Sequence, residues 1–220
     1  PVFCNVELNR KVLKLFLSQH FIPAPYGLLR NTFQVMPGEL ISINKNGEKK
    51  HNRYWELPKV VSNTTYDYSS AIELIDSTLE SAVHSELMSD VALGAMISGG
   101  IDSPLICYYA QKFMNDKLLA ITVGSDNKKF DESSVASQYC HIMDLDHRVI
   151  NINDVDICNI LNKVSLSMTD PYADISLIPM MVASEFAKKD ITVALSGDGA
   201  DELFFGYERF WSIAKNRNIQ

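Results

Sequence analysis

Apolar residues in the second half of the chain follow two alternating patterns. Short continuous runs, such as Val91–Ile97, have the length and composition of strands buried on both faces. The segments between the runs carry apolar residues every three or four positions, as amphipathic helices do. The predicted strands are Val91–Ile97, Leu118–Val123, His147–Ile152 and Ile191–Leu195, and the predicted helices are Ser70–Met88, Pro104–Phe113, Asp131–Met143, Val155–Val164 and Leu177–Lys188. This alternation predicts an α/β fold with a parallel sheet and helices on both faces.

The beginning of the chain has a different pattern. A helix is predicted from Asn9 onward, and a proline-rich extended connection follows it. Two alternating runs, Glu39–Ile43 and Lys49–Trp55, flank an Asn-Gly pair, which is typical of an antiparallel hairpin. The apolar residues of 1–57 are too few for an independent core. Residues 58–66, rich in Ser, Asn and Thr, predict a linker to a domain formed by 67–220.

Composition narrows the class of protein. With 46% hydrophobic and 21% charged residues, the chain is long enough for one domain and an appendage. A net charge of −7 argues against a nucleic-acid partner. The sequence contains no long apolar run and no signal peptide, so neither a membrane nor secretion is expected. The scattered cysteines Cys4, Cys107, Cys140 and Cys158 indicate reduced thiols in the cytoplasm.

A polar loop, Ser98–Ser103, joins the first predicted strand of the parallel sheet to the next helix. The start of a helix leaves backbone N–H groups unpaired and carries partial positive charge, so it favours an anion. Two glycines let the backbone approach a phosphate, and two serine hydroxyls add donors. Pro104 fits the first helical turn, which has no N–H partner to lose. The alternative is an ordinary strand-to-helix turn that uses the same residues as caps.

A second polar loop follows the last predicted strand. Because carboxyl ends of parallel strands share one edge, Ser98, Val123 and Ser196 are expected together. The second loop contains three acids, and carboxylates beside a triphosphate need a cation between them. Asp102 and Asp201 are therefore the predicted Mg²⁺ ligands. The alternative is that these acids cap a helix that begins near Leu203.

Asp198 is the predicted general base toward an incoming amine, because this proton transfer needs a carboxylate near the reacting atom. The five histidines show no metal-ligand spacing, so zinc is not expected. His147 is predicted to pack at the start of a strand.

Both loops carry a family resemblance. The first resembles the Ser-Gly-Gly-x-Asp-Ser signature of the PP-loop, or N-type ATP pyrophosphatase, superfamily, whose members cleave ATP between its α- and β-phosphates. The second resembles the Ser-Gly-(Glu or Asp)-Gly-x-Asp-Glu-(Leu or Val)-Phe-Gly-Gly-Tyr motif of glutamine-dependent asparagine synthetases. The matching residues of the second loop are Ser196, Gly197, Asp198, Gly199, Asp201, Glu202, Leu203, Phe204, Gly206 and Tyr207. Phe205, where the family usually has Gly, and Pro104, where it often has Ser, depart from the pattern.

The resemblance extends beyond the loops. It implies a Rossmann-like fold of the adenine nucleotide alpha hydrolase type for 67–220. It identifies 1–57 as the C-terminal remnant of a glutamine amidotransferase domain, so Cys4 would be structural rather than the N-terminal nucleophile of the family. The segment Asp170–Ser176 resembles one that lines the substrate cleft. The downstream lysine of the family has no counterpart before Gln220, so we expect the synthetase domain to be incomplete.

The resemblance also implies a reaction. Aspartate attacks the α-phosphorus of ATP to give β-aspartyl-AMP and pyrophosphate, and ammonia, free or derived from glutamine, displaces AMP to give asparagine. The expected cofactors are ATP and Mg²⁺, and a homodimer is a candidate assembly. The implied ATP-phosphate residues are Ser98, Gly99, Gly100, Asp102 and Ser103; the implied adenosine residues are Met96, Val123 and Gly197; and the implied residues near the amino-acid substrate are Glu202 and Asp174.

Two alternatives stay open from the sequence. The same adenylation chemistry can act on another carboxylate, such as a uronic acid in a surface polysaccharide or a β-lactam-type substrate. The chain can also be a nucleotide-binding but inactive module that acts through a partner.

Overall fold

The computed structural model describes residues 7–58 and 65–216 of the chain. The chain divides into two compact units, Pro1–Thr65 with Leu161–Leu177, and Tyr66–Ile160 with Ile178–Gln220. Cys4 and most of the predicted linker lie outside the described residues. Within the described ranges, no helix has the length and apolar character needed to cross a membrane.

The first unit contains a helix and a two-stranded antiparallel sheet. Helix α1 spans Arg10–Gln19, and the side chain of Asn9 caps it by accepting hydrogen bonds from two N–H groups of the first turn. Strands β1 (Glu39–Ile43) and β2 (Lys49–Arg53) pair antiparallel. Gly47 forms the turn between them with φ +81°, a conformation that glycine adopts without strain. The predicted hairpin is therefore confirmed.

The rest of the chain alternates helices and strands. In chain order they are α2 (Tyr68–Glu86), β3 (Leu93–Met96), α3 (Asp102–Phe113), β4 (Leu119–Gly124), α4 (Ser133–Ile142), β5 (Asp146–Asn151), α5 (Ile157–Ser167), α6 (Leu177–Ala187), β6 (Val193–Leu195), α7 (Ala200–Phe204) and α8 (Glu208–Asn216). Strands β3 to β6 form one sheet in the order β5-β4-β3-β6, and every pair in it is parallel. The parallel sheet predicted from the apolar pattern is confirmed.

The central strand β4 shows that helices cover both faces of this sheet. Ala120 is fully buried in a cluster with residues of α2, α3 and α4. Its neighbours Leu119 and Ile121 instead pack with Ala187 of α6 and with Ile191. Successive residues of a strand point to opposite faces, so α6 lies on the face opposite to α2, α3 and α4.

Most element boundaries lie a few residues from those that the sequence predicts, and three of these differences lie beside the polar loops. Strand β3 begins at Leu93, and Val91, predicted as its first residue, is 47% exposed. Helix α3 begins at Asp102, so Pro104 is its third residue and still lies in the first turn. The helix predicted to begin near Leu203 is instead α7, which begins at Ala200 and ends where Phe205 takes φ +59°. A left-handed residue at this position is a common way to end a helix.

Candidate active site

Both polar loops lie at the carboxyl edge of the parallel sheet. Strand β3 ends two residues before Ser98, and β6 ends directly before Ser196. Val123 is the next-to-last residue of β4. Because β3 pairs in parallel with both β4 and β6, these three strand ends are adjacent. The predicted placement of the loops at one edge is confirmed.

The hydroxyls of the first loop hold the loop together. Ser103 Oγ accepts a hydrogen bond from the Ser98 N–H at 2.9 Å and lies 3.0 Å from Ser98 Oγ. Ser98 Oγ accepts one from the Gly100 N–H at 3.2 Å. Two of the N–H groups expected to face an anion are therefore already bonded to serine oxygens. The N–H groups of Asp102 and Ser103, in the first turn of α3, are better placed to bind an anion, because that turn lacks intrahelical acceptors.

The two glycines of the first loop have different surroundings. A Cβ on Gly99 would lie 2.9 Å from Glu132 Cβ and 3.2 Å from Val135 Cβ, at the start of α4. A Cβ on Gly100 would meet, among the described residues, Ser98 Oγ at 3.4 Å. Gly99 is therefore required by the close packing of α4, which the sequence does not reveal. Gly100 is the glycine whose missing side chain leaves open space at the loop.

Gly197 brings the two loops into contact. A Cβ at this position would lie 2.7 Å from Ser103 N and 3.0 Å from both the carbonyl carbon and the Cβ of Asp102. The second loop thus packs directly on the first turn of α3, where the backbone of Ser103 leaves no room for a side chain. Two motifs separated by almost a hundred residues in the sequence form one site.

The acids of the second loop have defined neighbours. Ser196 Oγ donates to Asp198 Oδ2 at 3.1 Å, and Asp198 is exposed. Tyr207 donates its hydroxyl to Glu202 Oε1 at 2.9 Å, and this hydrogen bond, with some desolvation, raises the pKa of Tyr207 above its ordinary value. The guanidinium of Arg209 lies 4.0 Å from the centre of the Tyr207 ring. A Cβ on Gly206 would overlap the Asp201 carboxylate, so a side chain there would displace that carboxylate.

Helix α7 explains why the acids stand where they do. Asp201 and Glu202 lie in its first turn, and Gly199 precedes it with φ +94°. The helix begins three residues earlier than expected, and among the described residues no side chain caps its first turn by a hydrogen bond, so the alternative that the acids serve as its caps is not supported. Phe205 has a positive φ, which explains why a glycine would suit this position. Its ring packs edge-on against Phe210 at 5.5 Å.

The two loops that meet at this edge each carry one of the carboxylates predicted to bind Mg²⁺, Asp102 and Asp201. Within residues 7–58 and 65–216, the structure has no cluster of three or more His, Cys, Asp or Glu side chains arranged to hold a metal ion. Magnesium commonly binds proteins through one or two carboxylates and takes its other oxygens from phosphates and water. The oxygen donors of Asp102 and Asp201 belong to this type.

A buried chain of hydrogen bonds anchors the residue that directly precedes the first loop. The sequence analysis did not predict this chain. Thr122, 3% exposed, donates from Oγ1 to the carbonyl of Ile97 at 2.8 Å. His147 Nε2 lies 2.9 Å from the same Oγ1, so it donates when the threonine proton is on Ile97. Burial lowers the pKa of His147 below its ordinary 6.5. The feature of the sequence that could have indicated this chain is the hydroxyl residue Thr122 within the apolar run Leu118–Val123.

Asp174 lies in the first unit of the chain. Its carboxylate accepts a hydrogen bond from the Ser176 N–H at 2.8 Å, which holds the pKa of Asp174 below its usual range. Nearby, Gln34 donates to Asp170 Oδ2 at 3.2 Å. A cavity of about 380 Å³ is lined by Phe21, Ile22 and residues 167–172. The predicted cleft segment therefore borders a cavity within its own unit.

The described cysteines carry free thiols. Cys107 and Cys140 are buried in the core beside β3 and β4, and burial raises the pKa of Cys107 to about 12 and that of Cys140 to about 11. Cys158 is exposed. The prediction that the thiols are mostly buried is confirmed for the described part of the chain, and their reduced state stays a prediction.

Two solved structures have a partly similar chain path. One is the NH3-dependent NAD synthetase of Campylobacter jejuni in complex with nitrate ion, with a TM-score of 0.41 and 18% identity over 65% of this chain and 62% of that chain. The other is the U34-tRNA thiolase NcsA of Methanococcus maripaludis with its [4Fe-4S] cluster, with a TM-score of 0.45 and 16% identity over 63% and 49%. Likeness at this level carries no argument about chemistry.

Sequence comparisons are more informative. The asparagine synthase family matches residues 74–220, which include both loops. A putative asparagine synthetase [glutamine-hydrolyzing] 2 of Methanocaldococcus jannaschii is 32% identical over 91% of this chain and 39% of its own length. Asparagine synthetase [glutamine-hydrolyzing] 1 of Bacillus subtilis is 31% identical over 92% of this chain and 32% of its own length.

The chain thus spans between about a third and two fifths of the length of these relatives. The family match covers the parallel sheet and both loops at its carboxyl edge. The chain belongs to the asparagine synthase family.

Proposed function

We propose that this chain forms the ATP-binding, adenylating part of a ligase that makes asparagine from aspartate. The observation that carries the proposal is the packing of Gly197 against Asp102 and Ser103, because it places the acidic loop beside the start of α3. N–H and hydroxyl donors next to carboxylates are what nucleotidyl transfer from ATP with Mg²⁺ requires.

The first loop and the start of α3 are proposed to bind the phosphates of ATP. The helix start provides N–H donors and partial positive charge, and the hydroxyls of Ser98 and Ser103 can exchange their mutual contact for phosphate oxygens. Mg²⁺, held by Asp102 and Asp201, would neutralise charge on the departing pyrophosphate. The proposed phosphate residues are Ser98, Gly99, Gly100, Asp102 and Ser103, and the proposed adenosine residues are Met96, Val123 and Gly197.

The proposed reaction has two steps. The β-carboxylate of aspartate attacks the α-phosphorus of ATP, the bond to the bridging oxygen breaks, and pyrophosphate leaves. Ammonia then attacks the acyl carbon of β-aspartyl-AMP, loses a proton and displaces AMP. The Asp198 carboxylate is proposed to take that proton, because it stands exposed at the carboxyl edge next to Gly197. Glu202 is proposed to contact the amino-acid substrate, and the same role for Asp174 stays a prediction from the family resemblance.

Residues 1–57 are proposed to be the end of a glutamine amidotransferase domain that supplies ammonia in the whole protein. The matched relatives are named as glutamine-hydrolysing. In the described part of the first unit, the fully buried apolar side chains are those of Val12 and Ile22, which supports the proposal that residues 1–57 are part of a larger domain. The free thiols support a reducing compartment, and we propose the cytoplasm.

The proposal is tested by measuring pyrophosphate and AMP release from ATP and Mg²⁺ with ammonium present. Aspartate, other carboxylates and no carboxylate are compared. Release that depends on aspartate is the expected result. Release with a uronic acid or a β-lactam-type substrate would keep the mechanism and change the substrate. Binding of ATP without release would identify an inactive nucleotide-binding module.

The metal assignment is tested by Asp102→Ala. We expect this change to abolish Mg²⁺-dependent ATP binding in a calorimetric titration, because it removes one of the two proposed carboxylate ligands. Asp116→Ala is the matched control, since Asp116 is exposed and precedes β4 at the opposite edge of the sheet. Undiminished binding by Asp102→Ala would contradict the assignment.

A further inference from the structure

Glu132 contacts the first loop although it belongs to neither motif. Its Oε2 accepts a hydrogen bond from the Gly99 N–H at 3.0 Å. Its Cβ lies 2.9 Å from the position that a Cβ on Gly99 would occupy, so the backbones of the two residues are close as well. A carboxylate that accepts from a backbone N–H forms a charge-assisted bond, stronger than one between neutral groups.

The segment that carries Glu132 is itself anchored. Asp131 Oδ1 accepts from the N–H of Ser125 at 3.2 Å, directly after β4, and from the N–H of Ser133 at 3.2 Å. Its Oδ2 accepts from Ser133 Oγ at 3.0 Å. These bonds hold the pKa of Asp131 below its usual range. Glu132, which directly precedes α4, thus follows a residue that is bonded to the end of β4, and this anchor restricts where its side chain can lie relative to Gly99.

The bond has a consequence for the anion. With the Gly99 N–H donating to Glu132, and those of Ser98 and Gly100 donating to serine oxygens, all three N–H groups are fixed by side chains of this protein. The loop conformation is then set before an anion binds, and ordered donors stabilise charge better than donors that must reorient. The first turn of α3, which contains Asp102 and Ser103, lacks intrahelical acceptors, so its N–H groups are the backbone donors left for an anion.

We propose that Glu132 is a positioning residue for the phosphate loop: its carboxylate orders the loop by holding the Gly99 amide and thereby strengthens pyrophosphate binding at the start of α3. This inference rests on the proposed function for its ligand, but the ordering of the loop is measurable without one. Glu132 touches neither substrate nor metal in this role and acts through Gly99.

The test uses Glu132→Ala, which removes the acceptor, and Glu132→Gln, which keeps an acceptor oxygen but removes the charge. Asp144→Asn is the control for loss of a negative charge, because the Asp144 side chain is 80% exposed beyond the other end of α4. For each protein, amide hydrogen exchange at Gly99 is followed by NMR, and inorganic pyrophosphate with Mg²⁺ is titrated by calorimetry.

We expect Glu132→Ala to speed Gly99 exchange and to weaken pyrophosphate binding, each by about tenfold. Glu132→Gln should keep most of the protection of the Gly99 amide and most of the pyrophosphate affinity. Asp144→Asn should change neither the exchange rate nor the affinity. Unchanged Gly99 exchange in Glu132→Ala would overturn the proposal. Tighter pyrophosphate binding in both Glu132 variants would also overturn it, because the carboxylate would then repel the anion rather than order the loop. If the wild-type chain binds no pyrophosphate, the proposed function fails, and the exchange rates alone decide whether Glu132 orders the loop.

Discussion

The two loops at the carboxyl edge are stabilised in different ways. In the first, consecutive N–H groups from Ser98 to Gly100 bond to side-chain oxygens, and the acceptor Glu132 lies 33 residues away from Gly99 in sequence. In the second, the side-chain hydrogen bonds described above join near neighbours, Ser196 with Asp198 and Glu202 with Tyr207. The first loop thus combines two bonds between its own residues with one bond to a distant side chain, whereas the second combines local bonds with the backbone contact of Gly197.

This difference suits the chemistry proposed for each loop. Donors for a phosphate act best when they are already oriented, because no reorganisation is then needed as charge develops. The acids of the second loop must accept a cation or a proton, and Asp198 and Glu202 are exposed enough to change partners. Substitutions at Gly197, Thr122, Gly199 and His147 test how each loop is held in place, and we expect their effects to decrease in this order.

Gly197→Ala should have the largest effect, because it separates the loops. The new Cβ would lie 2.7 Å from Ser103 N, a backbone atom that cannot move without shifting α3. We expect aspartate-dependent pyrophosphate release to fall by about a hundredfold, as for a misplacement near 1 Å. The measurement is the rate at saturating ATP, with circular dichroism to show that the fold persists.

Gly100→Ala is the matched comparison for stability, since its Cβ would meet Ser98 Oγ at 3.4 Å, an ordinary contact. It should leave the urea midpoint close to that of the wild type. An active Gly197→Ala protein would show that the contact between the loops is not needed.

Thr122→Val should weaken the support under the first loop. It removes the hydroxyl that donates to Ile97 and leaves that carbonyl and His147 Nε2 with a lost partner in a buried place. We expect a loss of about 1–3 kcal/mol in the free energy of unfolding, measured with urea. Thr78→Val is the control, because the Thr78 hydroxyl bonds to Leu74 on an exposed face of α2. If both changes lower the free energy of unfolding equally, the buried hydrogen bonds of Thr122 have no special role in stability.

Gly199→Ala should strain the second loop without a clash. Gly199 has φ +94°, and among the described atoms nothing lies within 4 Å of an added Cβ. The cost should therefore be conformational, about 1–2 kcal/mol. Gly47→Ala, with φ +81° and equally open surroundings in the hairpin, should show a similar cost without any loss of pyrophosphate release. Equal activity of the two variants would show that the second loop tolerates strain.

The pH dependence of stability should show the smallest effect. Burial lowers the pKa of His147 below the value of 6.5 that it has when unfolded. The unfolded chain then binds the proton more readily, so stability is full above pH 6.5 and falls as the pH drops through the lowered pKa. His147→Gln should flatten this part of a plot of urea midpoint against pH. His141→Gln, at an exposed position of α4, is the control. If His147→Gln leaves the slope of urea midpoint against pH unaltered, His147 is not the group responsible for this pH dependence.

Much of the architecture was predictable because it follows from local patterns. The apolar runs predict the parallel strands, and the Asn-Gly pair predicts the hairpin, since period and turn chemistry act over a few residues. The placement of Ser98 and Ser196 at one edge also follows, because parallel strands order their ends in the same way. The boundaries of the elements were predicted less accurately. Val91, for example, is apolar like the strand that it precedes, but it is exposed.

The sequence alone therefore determined the fold class, the two loops and the types of chemical group that they carry. The tertiary structure alone decided that Gly99 packs on α4, that Glu132 holds its amide, and that Gly197 touches Ser103. These contacts join residues far apart in the chain, and which of them meet depends on how each helix crosses back to the sheet. A local hydrophobic pattern does not specify contacts between distant residues. Glycines that look alike in the sequence therefore have different surroundings in the structure.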